Sequence, residues 1–258
     1  MASAQSQGLT MMIRVGTMGW SYHFWKDNFY PKNLASNEFL SYYASRFDTV
    51  EVDNTFYRIP RTKTVEEWKE QTTPGFVFSL KFPKIITHVK MLRNCQEETR
   101  VFLERVDFLQ EKLGPLLLQF PSVFRSEHLS LLQLFLEKLP KRHRYVVEVR
   151  SKKLLNDNLY SILKDNDVAL AWVESPFMPA NDLVTSDFIY VRWEGDRKKV
   201  NGTLGKTEID RRSDLKPWAS KLKLFSDSNL DVFGYFSKYY SGHPPTDIHE
   251  LLQLMQAM

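Results

Sequence analysis

Cysteine is almost missing from this chain of 258 residues. Cys95 stands alone, which excludes an intrachain disulfide and any cysteine-built zinc cluster. Glycine and proline are few, 10 and 12, so a collagen-like repeat is excluded. No run approaches the roughly 18 consecutive apolar residues that a membrane helix needs. Met1 to Thr10 has no basic start followed by an apolar stretch, so no secretory signal is expected. Phosphate loops of the G-x-G-x-x-G and G-x-x-x-x-G-K-[ST] types are absent, as are the G-x-S-x-G nucleophile elbow and the H-E-x-x-H zinc pattern. Charge of one sign is barely in excess: 35 Lys and Arg against 31 Asp and Glu give +4, which permits an anionic partner without requiring one. What is present is ordinary globular usage, 43% hydrophobic and 26% charged, with aromatics high at 14%. That composition excludes intrinsic disorder. The expectation is a cytoplasmic protein with no membrane contact.

Periodicity supplies the architecture. Eight short apolar runs read as strands: 13–17, 49–52, 76–80, 115–119, 145–149, 168–172, 188–192 and 232–236. Amphipathic stretches between and after them read as helices at 38–46, 65–71, 96–113, 129–139, 154–164, 215–225 and 248–255. Eight apolar strands alternating with helices in about 250 residues predict an α/β fold, a single (β/α)8 TIM-type barrel. An open doubly wound sheet is the runner-up, and the missing phosphate loop counts against it. The domain is expected at 13–258, after a disordered or extended tail at 1–12. Only Val173 to Asp187 separates the sixth strand from the seventh, and Ser175-Pro176 and Met178-Pro179 disfavour a helix there. The sixth helix is therefore expected to be missing or reduced to a turn. Asp196 to Arg212, polar and holding two glycines, is the best candidate for a mobile loop.

Barrels of this type carry their chemistry at the C-terminal ends of the strands. Collecting those positions gives Trp20, Glu51, Asn54, Phe56, Tyr57, Lys81, His88, Gln119, Glu148, Arg150, Glu174, Arg192, Trp193, Tyr239 and His243. Glu51 and Glu148 lie inside otherwise apolar strands, where an unpaired carboxylate costs several kcal/mol. They are the candidate acid/base pair, with Lys81 as third catalytic residue and Arg150 and Arg192 as anchors for an anion. The competing reading is a buried ion-pair network that seals the barrel top. The remaining residues would line the pocket, the aromatics as apolar walls or stacking surfaces. Glu51, Glu148 and Glu174 with a histidine could be imagined around a metal. No dense ligand spacing supports that, so neither metal nor cofactor is expected. Cys95 reads as a packed thiol, and the basic run Arg197-Lys198-Lys199 as a solvated face that could meet phosphates.

Several collinear stretches resemble the YecE-like family, a domain of unknown function. They are Val15-Gly16-Thr17-Met18-Gly19-Trp20-Ser21-Tyr22, Phe29-Tyr30-Pro31, Arg46 to Tyr57, Lys81-Phe82-Pro83, Leu118-Gln119-Phe120-Pro121, Val147-Glu148-Val149-Arg150, Tyr190-Val191-Arg192 and Tyr240-Ser241-Gly242-His243. The resemblance implies a (β/α)8 barrel and supplies no reaction. Two departures fall at the expected pocket. Trp193-Glu194-Gly195 stands where the family typically has His-Gly one residue after Arg192, and Ser237-Lys238 where it often has an Asn pair. The leading functional expectation is an enzyme acting on a small anionic or phosphorylated ligand by acid/base chemistry. The alternatives are a barrel that binds nucleic acid or cleaves phosphodiesters, and a non-catalytic binding barrel. The sequence sets no oligomeric state.

Overall fold

The computed structural model describes residues 13–226, 228 and 230–258, so the tail expected at 1–12 lies outside the described residues. Among the described residues nine β segments form one parallel sheet: β1 (Ile13–Met18), β2 (Thr49–Val52), β3 (Val77–Lys81), β4 (Leu113–Gln119), β5 (Tyr145–Glu148), β6 (Ala169–Leu170), β7 (Trp172–Glu174), β8 (Phe188–Trp193) and β9 (Asp231–Phe236). The order of pairing is β6-β5-β4-β3-β2-β1-β9-β8-β7. Its two ends are consecutive pieces of chain. The sixth expected strand breaks at Ala171: β6 pairs with β5, β7 pairs with β8, and the barrel closes through that residue. The eight expected staves are thus present, one of them divided.

Among the described residues seven α-helices surround the sheet: α1 (Phe39–Ala44), α2 (Thr62–Glu70), α3 (Gln96–Val106), α4 (Leu129–Lys138), α5 (Asp157–Asp165), α6 (Arg212–Ser226) and α7 (Pro244–Gln256). The third is shorter than its periodicity suggests. It passes at Asp107 into a 3-10 turn where Gln110 adopts φ 53°, turning the chain into β4. No helix lies between Glu174 and Phe188. Side chains bridge that gap instead: the Thr185 hydroxyl accepts from Leu170 N and donates to Val168 O, and the Trp172 indole donates to Leu183 O. Among the described residues no helix is long and apolar enough to cross a membrane.

Strand alternation divides the apolar residues into two cores. The larger lies between sheet and helices and includes Phe78, Leu118, Val147, Trp193 and Leu222. The smaller fills the barrel interior, with Met18, Leu117, Val146, Ala169, Phe188, Tyr190, Phe233 and Tyr235. Interior positions nearer the strand C-termini are charged, at Glu51, Lys81, Glu148 and Arg192, all buried. The barrel is therefore closed below by apolar and aromatic side chains and topped by an ionic layer.

Candidate functional site

Arg192 organises that layer. It follows the interior residue Tyr190 by two positions on β8, so it also points inward. Its Nε and Nη2 donate to the two oxygens of Glu51 at 2.9 and 2.8 Å, a bidentate fork. Its Nη1 donates at 2.5 Å to both Glu148 Oε2 and Glu194 Oε1. The guanidinium is 1% exposed and Glu51 is fully buried. Tyr190 adds a hydroxyl donor to Glu51 at 2.7 Å. Gln119 and Arg150 donate to the other oxygen of Glu148 at 2.7 and 3.2 Å. Every oxygen of Glu51 and Glu148 is therefore engaged, and Arg192 has no nitrogen without an acceptor.

Above this layer the groups are less satisfied. Glu194 gives Oε1 to Arg192, with Arg150 at 3.6 Å, while Oε2 has Arg197 at 3.9 Å. Asp53 Oδ1 is buried without a hydrogen-bond partner among the described residues, 3.7 Å from Lys81 Nζ and 4.0 Å from Arg192 Nη2. Arg150 is anchored through Nε on Glu148, its Nη2 lies 3.6 Å from Glu194 Oε1, and its side chain is 43% exposed. A cavity of about 340 Å³ opens here, bounded by Glu148, Arg150, Glu194, Arg197, Phe177 and Met178. The rim pairs cations with rings: Lys81 over Phe56 at 4.7 Å, Arg197 over Tyr239 at 4.7 Å, and Lys238 over Tyr22, Phe24 and Tyr239. The loop after β8, expected to be mobile, is tied down. Asp196 N donates to Tyr239 O, and Glu208 N and Ile209 N both donate to Ser241 O.

Electrostatics separates the two carboxylates. Burial penalises both charged forms, but Arg192, Arg150 and Lys81 together outweigh it at Glu148 and hold that group down to about 2. At Glu51 burial prevails over Arg192, with Asp53 adding repulsion, and the carboxyl is raised. His88 is lowered to about 4, by burial first and then by Lys81 and Arg150, so its imidazole is neutral at pH 7. Four carboxylates of the mouth, Glu51, Asp53, Glu148 and Glu194, face four cations, Lys81, Arg150, Arg192 and Arg197.

A stability test follows from this split. Glu148, held below its ordinary range, stabilises the fold above about pH 4.5 and loses that contribution as pH falls toward 2. Glu51, raised, opposes folding when charged, and protonation relieves it. Glu148→Gln should therefore lower the melting temperature at pH 7 more than Glu51→Gln does, and the gap should narrow below pH 4.5. Melting curves of both variants from pH 7 to pH 3 check this; equal losses across the range would contradict it.

The structure gathers Glu51, Lys81, Gln119, Glu148, Arg150 and Arg192 at one end of the barrel, with Phe56, His88 and Tyr239 at its rim. His88 meets the edge of Phe56 at 4.8 Å. Asn54 and Tyr57 are exposed on the β2 loop, Tyr57 at 81%. Four candidates lie elsewhere, in the layer between barrel and helices. Trp20 packs against Trp68 and Phe78. Trp193, alternating with Arg192, stacks on Phe236 at 4.1 Å. Glu174 accepts from the Trp218 indole. His243 precedes α7, its Nδ1 on Thr246 and its ring near Trp25. Asp53 and Tyr190 were not among the candidates. Period-two alternation back from Arg192 identifies Tyr190; nothing local marks Asp53, which only the tertiary position of Lys81 makes notable. Among the described residues no group of three His, Cys, Asp or Glu is placed to hold a metal. Three glutamates gather instead on the Arg192 guanidinium.

The sequence profile of the family described as "Protein of unknown function DUF72" matches residues 14–258. The chain is 37% identical over 139 residues to the UPF0759 protein YecE of Escherichia coli (strain K12), over 54% of this chain and 48% of that one. It is 39% identical over 70 residues to the UPF0759 protein YunF of Bacillus subtilis (strain 168), over 27% and 24%. The matched stretches thus span about half or less of these relatives' lengths. A crystal structure of a DUF72 family protein from Thermotoga maritima superposes with a TM-score of 0.77 at 24% identity, covering 95% of this chain and 98% of that one. A D-psicose 3-epimerase superposes with a TM-score of 0.52 at 9% identity, over 86% and 84%. These two structures share the barrel fold.

Proposed function

The chain belongs to the DUF72 family of proteins of unknown function, and from that premise we propose that it is an acid/base enzyme whose barrel mouth binds a small anionic or phosphorylated molecule. The observation that carries this reading is Arg150. Its Nε is fixed by Glu148, its outer face is open, and Arg197 stands beside it on a cavity of about 340 Å³. A guanidinium oriented by Glu148 on one edge, set 3.6 Å from Glu194 through Nη2 and still 43% exposed, suits a phosphate or carboxylate. Arg192, read from sequence as the second anchor, has its donors committed to glutamates and serves as framework. The proton-transfer role falls in turn on Glu194 and Asp53, each with an oxygen that accepts no hydrogen bond among the described residues, rather than on the fully engaged Glu51 and Glu148. Glu148, held ionised, orients Arg150, and Lys81 stands 3.7 Å from Asp53. The lone, buried Cys95 agrees with a cytoplasmic setting.

Calorimetric titration with inorganic phosphate, glycerol phosphate and hexose phosphates tests the reading. Binding by the wild type is expected, weakened about 10- to 100-fold in Arg150→Ala, because a charge-assisted hydrogen bond contributes about 1.5–3 kcal/mol. The melting temperature of that variant should stay close to the wild type's. A wild type that binds none of these ligands overturns the proposal. A nucleic-acid ligand is the second reading, supported by the ring-and-cation pairs of the rim. It predicts binding of single-stranded oligonucleotides that weakens steeply with salt.

A further inference from the structure

We propose that the groove between α3 and α4, on the outer wall of the barrel, binds an amphipathic anion: an apolar chain or ring system bearing one carboxylate, sulfonate or phosphate. It is a cavity of about 650 Å³, and none of its lining residues belongs to the mouth. Leu103, Leu131, Leu134, Phe135 and Leu139 supply an apolar lining. Leu134 is 52% exposed although it lies in this concave site, where apolar area gains most from being covered.

Charge complementarity selects the occupant. The lining holds four cations, Arg93, Arg100, Lys138 and Arg142, and one carboxylate, Glu104. Two of the cations are occupied: Arg100 pairs with Glu97 and Glu104, and Arg142 with Asp107. Arg93, just before α3, and Lys138, the last residue of α4, both line the groove and form no salt bridge among the described residues. An apolar trough with two uncommitted cations matches a ligand with an apolar body and an anionic head. A neutral apolar ligand would leave the cations unused, and a small anion would leave the leucines wet. The loop that forms one end is also held in a costly shape. Met91, Leu92 and Asn94 have φ of 43°, 69° and 49°, the left-handed region that non-glycine residues seldom adopt.

The test uses the full chain with dodecanoate, and with dodecanol as the headless control. Titration calorimetry and displacement of the dye 1-anilinonaphthalene-8-sulfonate report binding. Dodecanoate is expected to bind at least about tenfold more tightly than dodecanol. Leu134→Asp, at an exposed position that leaves the fold intact, should abolish binding, and Lys138→Glu should weaken it by about tenfold. Arg150→Ala, at the mouth, should bind dodecanoate as the wild type does. The proposal is overturned if the wild type fails to bind dodecanoate below micellar concentrations, or if Leu134→Asp and Lys138→Glu both bind like the wild type. Loss of binding in Arg150→Ala alone would place the ligand at the mouth and overturn it equally. Because the mouth is probed by phosphate and the groove by dodecanoate, either site can fail without the other.

Discussion

Arg192→Ala is expected to lower the melting temperature by about 6–20 °C, or to prevent accumulation of soluble protein. Removing one partner of a buried ion pair costs about 3–5 kcal/mol, and for a domain of this size each kcal/mol moves the midpoint by about 2–4 °C. The cost arises from what is left behind. Glu51 and Glu148 lose their shared cation while remaining buried, and Glu194 loses its 2.5 Å donor. Four N–H donors to three carboxylates are lost at once. Arg192→Lys keeps the charge and loses the fork to Glu51, so it should fall between wild type and alanine. Arg192→Met combined with Glu51→Gln and Glu148→Gln should recover part of the loss, since the stranded charges are then gone. Calorimetric melting of the four proteins measures the series. A melting point unchanged in Arg192→Ala, with phosphate binding lost, would return Arg192 to the role of ligand anchor and refute the framework assignment.

That outcome bears on how far the sequence could be read. The barrel was legible because each stave is a short apolar run bounded by turn residues, a signal that depends only on neighbours in the chain. Its interruptions were less so. The break at Ala171 comes from the need to pair β5 on one side and β8 on the other, which no local pattern records. The start of α7 at Pro244 was missed because apolar periodicity begins at Ile248, although proline fits a first helical turn. The same division holds at the site. A glutamate within an apolar strand announces that it will be buried and paired, so Glu51 and Glu148 were found. The face on which a strand-end residue lies is a matter of parity. Trp193 and Arg192 are adjacent in sequence, yet one packs under α6 and the other fills the barrel. How many donors each glutamate would receive could not be counted from sequence, so the framework carboxylates could not be told from the open ones.

Gly195→Ala is expected to be the other severe variant, and it tests how the mouth is assembled. Gly195 joins the mouth carboxylate Glu194 to the loop that carries Arg197. Its φ is +68°, which an L side chain adopts at a cost of about 1–3 kcal/mol. Sterics add to this. A Cβ there would lie 2.0 Å from the Tyr239 carbonyl oxygen and 2.5 Å from the Tyr240 Cα. Both are backbone atoms of the turn between β9 and α7, so no flexible side chain can yield. The two loops must separate, breaking the bond from Asp196 N to Tyr239 O, with a net loss of about 0.5–1.5 kcal/mol. Together the expected loss is about 3 kcal/mol or more, a fall of about 6–12 °C. Gly75→Ala is the control. Its φ is +80°, but a Cβ there meets nothing within 4 Å, so only the backbone term applies. The difference between the two variants isolates the clash. Gly195→Ala should also weaken phosphate binding, because Arg197 leaves the Tyr239 ring it covers at 4.7 Å and with it the cavity wall. Gly75→Ala should bind as the wild type does. If Gly195→Ala melts no lower than Gly75→Ala, the loop after β8 does not press on the β9 turn in solution, and Arg197 has no fixed place at the mouth.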